Sequence, residues 1–141
     1  MPTKPIPNLD DLTLTRKQVQ SALRSKKPLR GSDMRGIDLS GLSFDGMDLR
    51  ECKFAESNLS NTSFIGADLS QSSLWRANLS NSNFSNTTLV EVDMDLCILD
   101  GCCLNGARIH RSILPLHQFT WQEIENAVDS GRPLSPTRRT R

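Results

Sequence analysis

From Leu29 to Leu114 every fifth residue is large and apolar: Leu29, Met34, Leu39, Phe44, Leu49, Phe54, Leu59, Phe64, Leu69, Leu74, Leu79, Phe84, Leu89, Met94, Leu99, Leu104, Ile109 and Leu114. All eighteen positions of this register are filled. The other 72 positions of 27–116 hold only eight residues of the same types: Ile37, Leu42, Met47, Ile65, Leu96, Ile98, Ile113 and Leu116. A period of five matches neither the 3.6 of a helix nor the 2.0 of a strand. It predicts a chain that turns a corner every five residues and drops one large side chain inside at each step, the signature of a coiled repeat.

The remaining slots fit that reading. Two residues before each large centre, fourteen of eighteen repeats carry a small residue, from Ser32 and Cys52 to Ala107 and Ser112. The exceptions, Lys27, Ile37, Leu42 and Met47, lie near the start. One large and one small inward residue per repeat fill a narrow interior at crystal-like density. The residue just before the centre is Asp or Asn eight times (Asp33, Asp38, Asp48, Asn58, Asp68, Asn78, Asn83, Asp93). These types bond nearby backbone and tolerate tight turns, so they are read as corner residues. Gly recurs in the last slot at 31, 36, 41, 46, 66, 101 and 106, again as corner chemistry.

Sorting the centres by twenties reveals a second period. Leu29, Leu49, Leu69, Leu89 and Ile109 form one column, and Phe44, Phe64, Phe84 and Leu104 another. Four faces per turn follow, with a Phe ladder among them. Ala67-Asp68-Leu69 and Ala77-Asn78-Leu79, with the near matches Ser57-Asn58-Leu59 and Ser82-Asn83-Phe84, make the chain resemble the pentapeptide-repeat proteins, whose loose motif is Ala-Asp/Asn-Leu-x-x. The resemblance covers 27–116. It implies an all-β solenoid, a right-handed, four-sided (quadrilateral) β-helix. Eighteen repeats at four per turn make four and a half turns, about 22 Å long at a strand spacing of about 4.8 Å. The terminal turns lack neighbours, so both ends need caps.

Both caps are visible as helices. Thr15 and Gln18 form a capping box, with Val19 and Leu23 on one face of a helix over 15–24. Thr120 and Glu123 form a second, followed by Ile124, Ala127 and Val128, with Gly131 and Pro133 as stops. The expected organisation is an N-terminal extension with cap helix (1–26), the repeat coil (27–116), a C-terminal helix (117–131) and a disordered basic tail (132–141) with four Arg. The N-terminus has no apolar stretch of the Sec-type signal or membrane-spanning kind. Three of the four Cys (52, 97, 102) fall in the small inward column, where Cys acts as a small hydrophobe. Cys103 falls on an outward slot. Without a disulfide framework the expected compartment is a reducing, bacterial cytoplasm, with export by a route lacking a Sec-type signal left open.

Catalysis finds little support. His110 and His117 are the only histidines and have no metal-ligand spacing. Cys103 and His110 could in principle form a nucleophile and base, but chance co-occurrence is the favoured reading. No catalytic residue, cofactor or metal is expected, and the chain is read as a non-enzymatic protein-interaction scaffold. Its candidate interaction surface is Trp75, Leu96, Ile98 and Ile113, outward apolar residues on or beside one face, with Trp121 and Ile124 of the C-terminal helix. Either that helix folds over the patch, or the patch takes an unidentified protein partner or a second copy, a homodimer through the C-terminal helix being one such arrangement. Two alternatives come from the resemblance. One is a DNA mimic that protects or inhibits a type II topoisomerase (gyrase). The coil has eleven acids against eight bases, a net of −3, whereas a DNA-like rod of that length would want about thirteen charges. The other is a bacterial effector or secretion-linked accessory. Nucleic acid is not an expected partner.

Overall fold

The structure is a computed structural model and describes residues 13–135. Fourteen parallel bridges link residues twenty apart, in four columns. The Ile113 face stacks Thr13, Asp33, Lys53, Ser73, Asp93 and Ile113; the Ile98 face stacks Asp38, Asn58, Asn78 and Ile98. The Cys103 face stacks Ser43, Ser63, Asn83 and Cys103; the Arg108 face stacks Asp48, Asp68, Thr88 and Arg108. The coil is therefore four-sided with twenty residues per turn. Each side is one bridged residue between two turns, so the ladder consists of isolated bridges rather than extended strands.

The corners explain the five-residue period. Most repeats close a turn in which the residue three beyond a centre donates back to it, as in Ala67 N to Phe64 O (3.0 Å). The third residue of every turn from Gly31 to Arg111 has positive φ, the geometry a type II turn requires. All eight Asp and Asn named above accept a bond from the backbone N–H two residues on, from Arg35 N to Asp33 Oδ1 through Asp95 N to Asp93 Oδ1. The expected corner role is thus made by an Asx turn at each of these positions.

Seventeen of the eighteen centres are buried; Ile109, at the C-terminal end, is only half-buried. Phe44, Phe64 and Phe84 stack with centroids 5.1 and 4.9 Å apart, and Phe54 meets the first two edge-on. Buried hydroxyls in the small column donate to centre carbonyls, Ser57 to Phe54, Thr62 to Leu59 and Ser82 to Leu79, each at 2.6 Å. Burying these polar groups is therefore compensated by hydrogen bonds.

A cap closes each end. The first helix, α1 (Arg16–Ser25), starts on the capping box of Thr15 and Gln18 and buries Val19 and Ala22. Bulky Ile37, Leu42 and Met47 pack partly buried against the core of this first turn. Leu14 N and the Arg16 guanidinium take up the open carbonyls of Asp33, Asp38 and Ser40. At the other end α2 (Trp121–Ser130) starts on Thr120 and Glu123 and ends at Gly131 in the left-handed region. Its Val128 carbonyl accepts from Gly106 N, and Leu134 exchanges bonds with Gly101 N and Cys102 O. Leu134 lies within the stretch expected to be disordered, yet it is buried. One apolar side chain and two ladder bonds anchor it, so the expected tail is ordered at least to 135; residues from 136 onward lie outside those described.

Candidate interaction surface

The repeat register places the candidates at specific corners. Between the Ile113 and Ile98 faces runs an edge made of two columns. One stacks Arg35, Ala55, Trp75 and Asp95; the other stacks Gly36, Glu56, Arg76 and Leu96. The backbone bonds Gly36 N to Ala55 O, Glu56 N to Trp75 O and Arg76 N to Asp95 O tie these levels together. Trp75 is half-buried, with the Arg76 guanidinium 5.1 Å from its ring centroid. Leu96 (44% exposed) sits one turn above Arg76, Ile98 opens the next face, and Ile113 (57%) lies two bridges above Ser73. Trp75, Leu96, Ile98 and Ile113 thus share one edge and its flanks.

The two helix residues do not join them. Ile124 is fully buried and anchors α2 on the end of the coil. Its place on the surface is corrected by this geometry, because the open N–H of Gly106 holds the helix, and that of Gly101 the segment after it, over the end and not along the side. Trp121 is exposed and donates from Nε1 to Glu125 Oε1 at 2.8 Å. It borders a separate open groove of about 720 Å³ with Ile109, His110, Arg111 and Val128. The helix therefore does not cover the Trp75 edge.

The nucleophile–base pair is not assembled. Cys103 is half-buried on its own face, 3.3 Å from Ser85 Oγ and 3.7 Å from the Gly131 carbonyl. His110 occupies the corner beyond the Arg108 face, where its carbonyl accepts from Glu91 N. Burial pushes the Cys52 thiol up to about 11 and the Cys102 thiol to about 12, and raises Cys97 as well. Thiols held protonated in this way are poor nucleophiles and poor metal ligands. Among the described residues no three His, Cys, Asp or Glu side chains are grouped to hold a metal ion. No described helix is long and apolar enough to cross a membrane.

The sequence reading missed the polar half of the edge. Glu56, Arg76 and Asp95 are corner residues and look like solvated spacers in linear order. The signal was present in the twenty-residue columns, which set charged and apolar residues side by side on one edge.

The family model for pentapeptide repeats matches residues 32–71 and 77–114, in eight copies. Among curated proteins none matches the chain significantly. A pentapeptide repeat protein from the thylakoid lumen of Arabidopsis thaliana shares 31% identity at a TM-score of 0.56, over 57% of this chain and 55% of that one. The chain thus spans little more than half the length of that relative. A pentapeptide repeat protein from Nostoc shares 19% identity at a TM-score of 0.61, over 78% of this chain and 89% of that one, a likeness of fold alone. The repeat register, the four bridge columns and the family match agree: this chain belongs to the pentapeptide-repeat family.

Proposed function

We propose that the protein is a non-enzymatic interaction scaffold, a right-handed coil whose working surface lies toward its C-terminal end. The observation that carries this reading is where apolar side chains surface. Of the six large hydrophobics exposed among the described residues, Leu96, Ile98, Ile113, Leu116 and Trp121 belong to the last turn and its cap; only Ile65 lies elsewhere. Exposed apolar side chains gathered at one end of a rigid body mark a binding surface. The side chains that do chemistry in enzymes have structural work here. The Asp and Asn residues hold turns, and three of four thiols plug the lumen. Unpaired buried thiols also favour a reducing cytoplasm as the working compartment.

The test is capture from a host extract with wild type, Leu96→Asp and Ile113→Asp. The reading expects a defined protein partner retained by wild type and lost by both variants, with melting curves unchanged. A partner held equally by all three contradicts it. So does a turnover reaction abolished by Cys103→Ala or His110→Ala.

A further inference from the structure

The Trp75 edge is complementary to itself when reversed. Read from the N-terminal end, its first column is Arg35, Ala55, Trp75, Asp95 and its second is Gly36, Glu56, Arg76, Leu96. Turning a second copy end for end about a level midway between Ala55 and Trp75 sets each column against itself. Arg35 then faces Asp95, Ala55 faces Trp75, Gly36 faces Leu96 and Glu56 faces Arg76. Every opposition is either small against large or positive against negative. A two-fold axis lying in the contact plane and crossing the coil produces this pairing, because it keeps each column in place and reverses its direction. We infer that this edge is the seam of an antiparallel, side-by-side homodimer. The inference rests on the scaffold reading above and names its partner as a second copy of the chain.

Three observations support it independently of the pattern. First, three of the four charges of this edge are left free, Arg35 alone being paired, with Asp33. Glu56 and Asp95 make no ion pair or side-chain hydrogen bond among the described residues, and Arg76 has only the Trp75 ring. At the neighbouring edge, between the Arg108 and Ile113 faces, the charges are paired internally, Arg30 with Glu51, Arg50 with Asp48 and Arg111 with Glu91. Second, Leu96 is the single large apolar residue among the left-handed corners, the others being Gly, Asn, Gln, Glu or Arg. A strained exposed leucine is kept where something covers it. Third, charge is unequal along the coil. Residues 27–54 hold five basic and five acidic groups, and residues 55–100 hold one basic and six acidic. Antiparallel copies lay each acidic stretch beside the balanced one, which steers this orientation.

The alternatives are disfavoured by the same residues. An axis at the level of Trp75 sets Arg76 against its own copy. A parallel pair lays the two acidic stretches together and places Asp95 against Leu96. On the flank of the favoured arrangement Asp33 approaches Asp93, but Asp33 is neutralised by Arg35 at 2.6 Å. Arg35 has donors enough to serve Asp33 and the Asp95 of the second copy.

Sedimentation equilibrium of wild type, Glu56→Arg, Arg76→Glu and the doubly exchanged protein tests the seam. Wild type is expected to dimerise. Each single reversal creates two like-charge pairs across the axis and should weaken dimerisation by about tenfold or more. The double exchange restores opposite charges and should return most of the lost affinity. Both side chains are exposed, so thermal unfolding of all four should be alike. A monomeric wild type overturns the seam, as does a dimer indifferent to the single reversals or weakened further by the double exchange. A monomer that still holds a host protein through Leu96 and Ile113 overturns the seam while leaving the scaffold reading intact.

Discussion

A left-handed backbone costs an L-residue about 1–2 kcal/mol relative to a right-handed one, and Leu96 carries it at φ +57 with its side chain 44% exposed. Glycine would relieve the strain, offset in part by its greater freedom in the unfolded chain. Leu96→Gly should therefore leave the melting temperature unchanged or raise it by a few degrees while weakening self-association. Differential scanning calorimetry and sedimentation on the same sample check the split. A variant that unfolds earlier would show that Leu96 serves the fold. Asp48 offers a second test at this scale. The Arg50 guanidinium beside it holds its carboxyl down at about 2, from 3.8. A depressed folded value stabilises above the unfolded one and is lost as pH falls, here between 3.8 and about 2. Both side chains are over two-fifths exposed, so solvent screening keeps the pair's contribution small. Asp48→Asn keeps the turn acceptor, because an amide oxygen replaces the carboxylate. Urea midpoints of the variant should fall less than those of wild type across that pH interval.

At the scale of elements the lumen and the caps carry the stability. Phe64 is fully buried between Phe44 and Phe84. Phe64→Ala should cost about 3–5 kcal/mol as a cavity in a core that cannot collapse, measured by equilibrium unfolding. An unaltered unfolding curve would contradict the assigned interior. Ile124→Ala should cost about 2–5 kcal/mol and speed amide exchange at Gly101 and Gly106, whose N–H groups bond the cap. Unchanged exchange at these two glycines would show the cap to be idle. The sequence announced both helices through their capping boxes, because those motifs act within four residues. It did not announce where α2 docks. That depends on open N–H groups brought to the coil's end by a register some twenty residues away, so linear order alone places Ile124 on the surface and Leu134 in the tail. The lumen was legible in full except at Ile109, where the turn that would cover it is missing and α2 substitutes incompletely.

The whole molecule is a short four-sided rod with a closed core and two caps. One of its long edges has three of its four charges unpaired and its large residues matched by small ones. The candidate edge was half legible. Trp75, Leu96, Ile98 and Ile113 stand out as apolar residues in outward slots, whereas Glu56, Arg76 and Asp95 acquire meaning only beside their neighbours one turn away. The most direct measurement of the seam is a mixing experiment in a Cys103→Ser background, using Arg35→Cys and Asp95→Cys as separate proteins. Within one chain these two positions are three turns apart, about 14 Å, too far for a disulfide; across the seam they face each other. Mild oxidation of the mixture should give a disulfide-linked dimer of one copy of each variant, with little product from either variant alone. A mixture that stays monomeric, or that gives no more cross-link than the separate variants, would contradict the antiparallel seam.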